Sequence, residues 1–175
     1  MNLELIYASI TYMNNIFKKV SGDFCERFDA AGDTDIEISA DGDASGTIII
    51  KNSGRLNLNI SALHTRDNVK IHIAVKLLAA GGSENALTAV ADVAPGITGV
   101  DSDITFSIIA RPGAKIKMQP NQRISSAPQN AGHSASIYHP APAQILYLEA
   151  AGLSAGESEH LMEQIFMEDL PDNNF

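Results

Sequence analysis

Cysteine is almost absent from this 175-residue sequence, and Cys25 is the only one. A single thiol cannot close a disulfide within the chain, which favours a reducing compartment, and it has no second cysteine at the spacing of a zinc or iron–sulfur site. Cys25 is therefore expected to be a small buried hydrophobe. Tryptophan is missing and aromatic residues make up only 6% of the chain, which disfavours the stacking of sugars on a binding surface.

Cationic residues are also scarce, with 12 Lys and Arg against 21 Asp and Glu, so the formal net charge is −9. That balance disfavours nucleic acid and anionic membrane surfaces as partners, because both are bound by clustered cations. No apolar run is long enough to span a bilayer. The N-terminus contains Glu4 and no basic region, unlike a signal peptide. The sequence therefore predicts a cytoplasmic protein whose 175 residues form a single domain (1–175).

Residues 1–28 are predicted to be a helical segment that packs on the rest of the domain. Apolar residues recur there at spacings of three and four, which places them on one face of a helix. These residues are Leu3, Ile6, Ile10, Met13, Phe17, Val20 and Phe24.

Residues 33–136 show the period-two alternation of short β-strands, as in Ile71 and Ile73 around His72. Turn-forming pairs such as Gly81-Gly82 and Pro112-Gly113 separate these segments. Many short strands with few aromatic residues indicate a sandwich, a barrel or a β-solenoid, and the alternation favours none of the three.

Residues 140–170 are predicted to form a pair of short helices. Pro140 and Pro142 suit the first turn of a helix, and Gly152 suits its end. Ser154 with Glu157 three positions later is the pattern of a capping box at the start of the second helix.

The C-terminal part of the chain resembles the core portion of the SufB/SufD family, the scaffold proteins of the SUF iron–sulfur cluster assembly system. Three segments carry the resemblance. They are Ser107-Ile108-Ile109-Ala110 through Gly113-Ala114-Lys115-Ile116, then Gly132-His133-Ser134-Ala135-Ser136, and then Gln144-Ile145-Leu146-Tyr147-Leu148 with Gly152-Leu153-Ser154. The resemblance implies a right-handed parallel β-helix over 33–136, between the N-terminal helix and the C-terminal helical pair.

The resemblance also implies a function through protein contacts, with no enzymatic activity. The expected partners are a SufB/SufD-like subunit, in a homodimer or heterodimer, and a SUF-type ATPase that binds the C-terminal helices. His133 occupies the place of a family histidine that lies at the subunit interface and holds or passes the nascent cluster. It is the one cofactor-binding residue expected; no catalytic residue and no separate metal site are expected.

Two departures from the family pattern limit what one subunit holds. Ala131 stands where SufD-type members carry a cysteine, and Ser134 stands where SufB-type members carry a glutamate. An iron–sulfur cluster at His133 would therefore require thiolates from a partner. The alternatives are a structural interaction module that has lost the cluster chemistry, and a β-helical carbohydrate-active protein using Asp101 and Asp103.

His64 and His72 lie in the strand region and are expected on or beside outward positions, as exposed imidazoles. Asp41-Gly42-Asp43 begins like a calcium loop, but the twelfth position is Asn52 instead of a bidentate glutamate, so an acidic turn is expected.

Overall fold

A computed structural model of the chain describes residues 15–30, 32–124 and 130–168. Within these ranges eight strands precede two helices. The strands are β1 (Asn15–Asp29), β2 (Gly32–Asn52), β3 (Arg55–His64), β4 (Lys70–Ala79), β5 (Glu84–Val93), β6 (Asp101–Ala110), β7 (Lys115–Ile124) and β8 (Asn130–Tyr138), and the helices are α1 (Pro142–Ala150) and α2 (Ala155–Met167).

All strand pairings in the described part of the chain are parallel, and the sheet order is β7-β5-β3-β2-β4-β6-β8, with β1 paired to β2. The long strand β2 joins two wings. Its first half pairs with β3, which leads to β5 and β7, and we call this the odd wing. Its second half pairs with β4, which leads to β6 and β8, and we call this the even wing.

Each strand from β4 onward pairs with the strand two places earlier in the chain. Asn85 lies beside Leu56 and Ile116 lies beside Asn85 in the odd wing. In the even wing, Ser102 lies beside Ile71 and Ala131 beside Ser102. Because side chains alternate between the two sides of a strand, this register puts the side chains of paired residues on the same side of the sheet, whether apolar, as at Leu56, or polar, as at Asn85.

The core lies on one side of the sheet, called the inward side here, and both wings contribute to it. Ile36 and Ile60 of the odd wing and Ile71 and Ile104 of the even wing belong to one apolar cluster. The sheet is therefore curled, with the inward sides of its wings turned toward each other. Each such fully buried side chain contributes about 1.5–3 kcal/mol to folding. The predicted parallel β class is thus confirmed.

A buried polar ladder stacks the turns that join the wings. The Asn52 side-chain amide donates to Asn85 Oδ1 at 2.7 Å, and that of Asn85 donates to Ser83 Oγ at 3.0 Å. These three side chains are almost completely buried, yet each finds a partner, so the turns do not leave polar groups unsatisfied.

The predicted N-terminal helix is wrong over residues 15–28, which form β1 instead. Ile16 and Val20 point inward beside the core, while Phe17 points outward and is 74% exposed. The spacing of apolar residues fits a helix, but β2 offers β1 a backbone partner along its whole length, from Asp35 to Lys51. Tertiary hydrogen bonding overrides the local period. The remainder of that prediction, residues 1–14, lies outside the described residues.

The predicted helical pair is confirmed. Ser154 caps α2, and the Ser154 amide donates a hydrogen bond to the Glu157 carboxylate at 2.8 Å, which completes the capping box. Gly152 takes a positive φ of 101° after α1, and the Leu153 amide donates to the Leu148 carbonyl, as in a left-handed helix end. No helix within the described ranges is long and apolar enough to cross a bilayer.

Helix α2 packs on the outward side of the even wing. Arg111, which follows β6, donates two hydrogen bonds of 2.6 Å to the Glu163 carboxylate. The ring of Phe166 stacks on Tyr138 at the end of β8, with centroids 6.3 Å apart. Met167 is buried, and Lys76 Nζ donates to the Glu168 carbonyl at 2.6 Å. These contacts fix α2 next to the last strand.

Candidate functional site

His133 lies in the middle of β8, in a strand and not in a turn. In the register of β6 and β8 it lies beside Ile104, and Ala135 lies beside Phe106. Ile104 and Phe106 are buried on the inward side of the sheet. Paired residues of a parallel ladder share a side, so His133 also points inward. It is nevertheless exposed, because β8 is the last strand of its wing within the described residues.

A cavity of about 120 Å³ opens beside the imidazole. It lies where the outermost strands of the two wings, β7 and β8, face each other at one end of the core of the curled sheet. We call this end the β7–β8 end. Its lining is mainly apolar and comes from both wings: Leu87, Ala89, Phe106, Met118, Gln119, His133, Ser134 and Ala135. The imidazole thus lies at the mouth of an apolar space.

The outward side of β8 is held by small polar groups. Ser134 donates a hydrogen bond to Thr105 Oγ1 at 3.1 Å, and Thr105 donates to Asp103 Oδ2 at 3.2 Å. A Cβ at Gly132 would lie 2.8 Å from Asp103 Oδ1, so only glycine leaves room for this carboxylate. These contacts fix the backbone on both sides of His133.

The single thiol lies far from this imidazole. Cys25 belongs to β1 and is paired with Thr47, whose row continues through Ala74 and Thr105 to Ser134. Four strand spacings of about 4.8 Å separate the two ends of that row, about 19 Å in all. Cys25 and His133 therefore cannot bind one metal centre within a single chain.

The described residues contain no group of three or more His, Cys, Asp or Glu side chains that could hold a metal ion. Most protein-bound iron–sulfur clusters are held by several thiolates, with imidazole as an occasional replacement. The donor set at the β7–β8 end thus fits one ligand to a cluster, but not a complete set.

Comparison with known proteins identifies the family. The family model described as "SUF system FeS cluster assembly, SufBD core domain" matches residues 35–166. The chain belongs to this family. The match runs from β2 into α2, so it includes His133 and most of the helical pair. No significant match is found among curated proteins or among solved structures.

The SufBD core domain has a second surface of interest on α1, which buries no residue at all. Leu146 and Tyr147 are 64% and 75% exposed. Together with Ala143 and Ala150, which are also exposed, they occupy positions i, i+3, i+4 and i+7 of the helix. These four residues form one apolar stripe, called the α1 stripe here, which faces away from the sheet.

His64 does not occupy the outward position expected for it. It is 1% exposed, points inward at the end of β3, and has no hydrogen-bond partner for either ring nitrogen. Burial lowers the pKa of His64, with the charge of Asp101 acting in the opposite direction. The sequence did contain the signal, because His64 continues the alternation of Leu56, Leu58, Ile60 and Ala62.

The two carboxylates of the carbohydrate alternative lie on the outward side of β6. Asp101 accepts a hydrogen bond from the Asn130 amide at 3.0 Å and lies 3.4 Å from His72 Nε2. Asp103 accepts from Thr105. Neither carboxylate lines the cavity beside His133. Asp101 thus secures β8 to β6, and Asp103 supports Thr105, which accepts a hydrogen bond from Ser134 of β8.

Asp41-Gly42-Asp43 lies within β2 and does not form the separate turn expected from the sequence; its carboxylates are held by cations and backbone. Asp41 pairs with Lys19 at 2.5 Å and with Arg66 at 3.0 Å, and Asp43 accepts a hydrogen bond from the Lys70 amide. The hydrogen bond from Lys19 lowers the pKa of Asp41. These partners account for both acidic residues of this segment.

Proposed function

We propose that this SufBD core domain is a scaffold subunit in iron–sulfur cluster assembly or transfer. It acts through contacts with other proteins, as a cytoplasmic non-enzymatic component. Its ligand to the cluster, which is cargo for this system, is the imidazole of His133. The observation that carries the proposal is the inward position of His133 at the exposed β7–β8 end, beside an apolar cavity.

The proposed shape is a right-handed parallel β-helix. Two features support it: strands alternate between the wings along the chain, and the inward sides of both wings share one core. Parallel strands joined by crossover connections are right-handed in nearly all proteins. In such a rod the last turn, made of β7 and β8, is the natural place for another subunit.

The proposed partner at that end is a second SufB/SufD-like chain. Strand edges attract further strands unless they are protected, and β7 and β8 have no outer neighbour among the described residues. The described inward side chains there include no carboxylate, ammonium or guanidinium group, and Ile137 is 48% exposed. A partner on this end would cover the cavity and bring its own ligands to His133. Because the only thiol of this chain is about 19 Å away, those ligands must include the thiolates.

The α1 stripe is the proposed binding surface for a SUF-type ATPase. An unpartnered apolar stripe at helical spacing is suited to a hydrophobic groove on another protein. Exposed acidic residues of the following helix α2, among them Glu157 and Glu159, would favour a groove with a basic rim.

Anaerobic reconstitution with iron and sulfide tests the proposal. The chain alone is expected to develop no charge-transfer absorption in the visible range, whereas a complex with a cysteine-bearing SufB-like subunit is expected to develop it. A complex that forms and absorbs equally well with His133→Ala would contradict the role of the imidazole. His160→Ala is the matched control, because His160 is an exposed histidine on α2, away from the cavity.

The second candidate is a structural interaction module that keeps the fold without cluster chemistry. The distance between Cys25 and His133 favours this candidate, because the two side chains of one chain are too far apart to bind the same cluster. Under this alternative the complex with the SufB-like subunit still forms, but its absorption is the same with wild-type chain, with His133→Ala, and with the partner alone.

A further inference from the structure

The core enclosed by the curled sheet has two ends, one at β7 and β8 and the other at β1, and the inward side chains at these ends differ in their chemistry. At the β7–β8 end the described inward residues include no Lys, Arg, Asp or Glu: they are Ile116, Met118, Ala131, His133, Ala135 and Ile137. At the opposite end, β1 directs Lys18 and Glu26 inward. Lys18 lies beside Ile38 and Glu26 beside Ile48, and both isoleucines are buried in the core.

Lys18 and Glu26 come from opposite wings and meet across the end of the core. Gly22, with a φ of 70°, marks the bend in β1 between them, where the register with β2 also shifts. Their side chains form a salt bridge and are only 37% and 18% exposed. Burial lowers the pKa of Lys18, which reflects the loss of solvent around its ammonium group. The pair therefore places two charges over an otherwise apolar space.

Inward-pointing charge is one of the ways in which proteins protect sheet edges against pairing. Joining another chain at β1 would remove the remaining water from both charges. The free-energy cost of removing water from an ion pair is often larger than the attraction between its two charges. We propose that Lys18 and Glu26 block association at the β1 end, so that a second copy of this chain can join only at the β7–β8 end. Association then closes at two chains instead of continuing into a filament. This inference rests on the proposed function for its account of the β7–β8 end.

The test compares molar masses by light scattering after size exclusion, over a wide range of protein concentration. The wild-type chain is expected to reach twice its mass of 18.6 kDa and no more. Lys18→Leu/Glu26→Leu exposes an apolar end at β1, so its mass is expected to rise beyond twice that value as concentration increases. Lys51→Leu/Glu37→Leu is the matched control, because it removes the same charges from outward positions of β2 and should keep the wild-type mass.

Blocking the other end makes the assignment specific. Ala135→Glu places a charge beside the cavity at the β7–β8 end and is expected to leave the chain monomeric. Added to the leucine pair, it leaves only the β1 end open, so that triple variant is expected to stop at two chains. If the leucine pair does not fold by circular dichroism, Lys18→Gln/Glu26→Gln removes both charges while keeping the length of the side chains, and the same rise in mass is expected.

A folded Lys18/Glu26 variant with the wild-type mass at every concentration would overturn the inference. Failure of the proposed dimer has a different signature. A wild-type chain that remains monomeric, and is unaffected by Ala135→Glu, would contradict association at the β7–β8 end. In that case new association of the Lys18/Glu26 variants alone would still support the blocking role of the pair.

Discussion

Arg111 and Glu163 connect the sheet to its last helix through two parallel hydrogen bonds of 2.6 Å each. The carboxylate is 9% exposed, whereas the guanidinium group is 48% exposed. The hydrogen bond to Glu163 raises the pKa of Arg111 above its usual value. Two-pronged pairs of this kind are among the stronger polar contacts of proteins, although solvent around the arginine weakens this one.

Removing Arg111 is expected to cost more than neutralising Glu163. Arg111→Ala leaves a nearly buried carboxylate without its partner, and we expect a loss of about 1–3 kcal/mol in the free energy of unfolding. Glu163→Gln keeps one acceptor and the packing, so the expected loss is about 1 kcal/mol or less. Urea unfolding measures both, and hydrogen exchange of α2 shows whether the helix detaches locally. Equal losses in the two variants would contradict the asymmetry.

Helix and strand assignments followed from sequence where a single local rule decided them. The alternation in β3, β4 and β6 and the Ser154–Glu157 capping box are examples. β1 was missed because its apolar residues fit a helical period, and only its pairing with β2 shows it to be a strand. The sequence did indicate His133, through the family resemblance. Its inward position, its cavity and its distance from Cys25 depend on the register of β6 and β8, which no local pattern specifies.

Gly46 is expected to tolerate no side chain. A Cβ there would overlap with Cγ of the Phe24 ring and with the Phe24 carbonyl oxygen. Gly46→Ala should therefore cost about 1–3 kcal/mol through overpacking of β1 against β2. Gly42→Ala is the control, because nothing lies within 4 Å of its added carbon. Thermal unfolding compares the two, and an unchanged midpoint for Gly46→Ala would refute the contact.

His64 is expected to make the protein sensitive to acid. Its pKa is lowered from 6.5 in the folded state by burial, so below pH 6.5 the unfolded chain binds more protons than the folded one. Stability should therefore fall as the pH drops from about 6.5 toward the folded pKa, by at most about 1.4 kcal/mol per pH unit.

Urea unfolding at several pH values between neutral and mildly acidic conditions checks this dependence. His64→Leu removes two unpaired buried nitrogens, so it should be at least as stable as wild type at neutral pH. Its free energy of unfolding should also change less with pH than that of the wild type. His160→Ala, which removes an exposed imidazole, is the control for the loss of a histidine. A His64→Leu protein with the full wild-type pH dependence would assign the effect to other groups.

The α1 stripe is expected to affect binding without affecting stability. Leu146→Glu/Tyr147→Glu changes two side chains that are already exposed, so the unfolding free energy should change by about 0.5 kcal/mol or less. Binding to a SUF-type ATPase, measured by calorimetry, should weaken at least tenfold. Phe17→Glu is the control, since Phe17 is equally exposed but lies on β1. Unchanged affinity in the α1 variant would show that the ATPase binds elsewhere.

The most direct test of the scaffold account is the detection of an imidazole nitrogen on the cluster in the assembled complex. The chain is reconstituted anaerobically with a cysteine-bearing SufB-like subunit, reduced, and studied by pulsed electron paramagnetic resonance. A nitrogen hyperfine coupling that is present in wild type, retained in His160→Ala and lost in His133→Ala is the predicted result. A cluster whose spectrum is unchanged by His133→Ala would contradict the account.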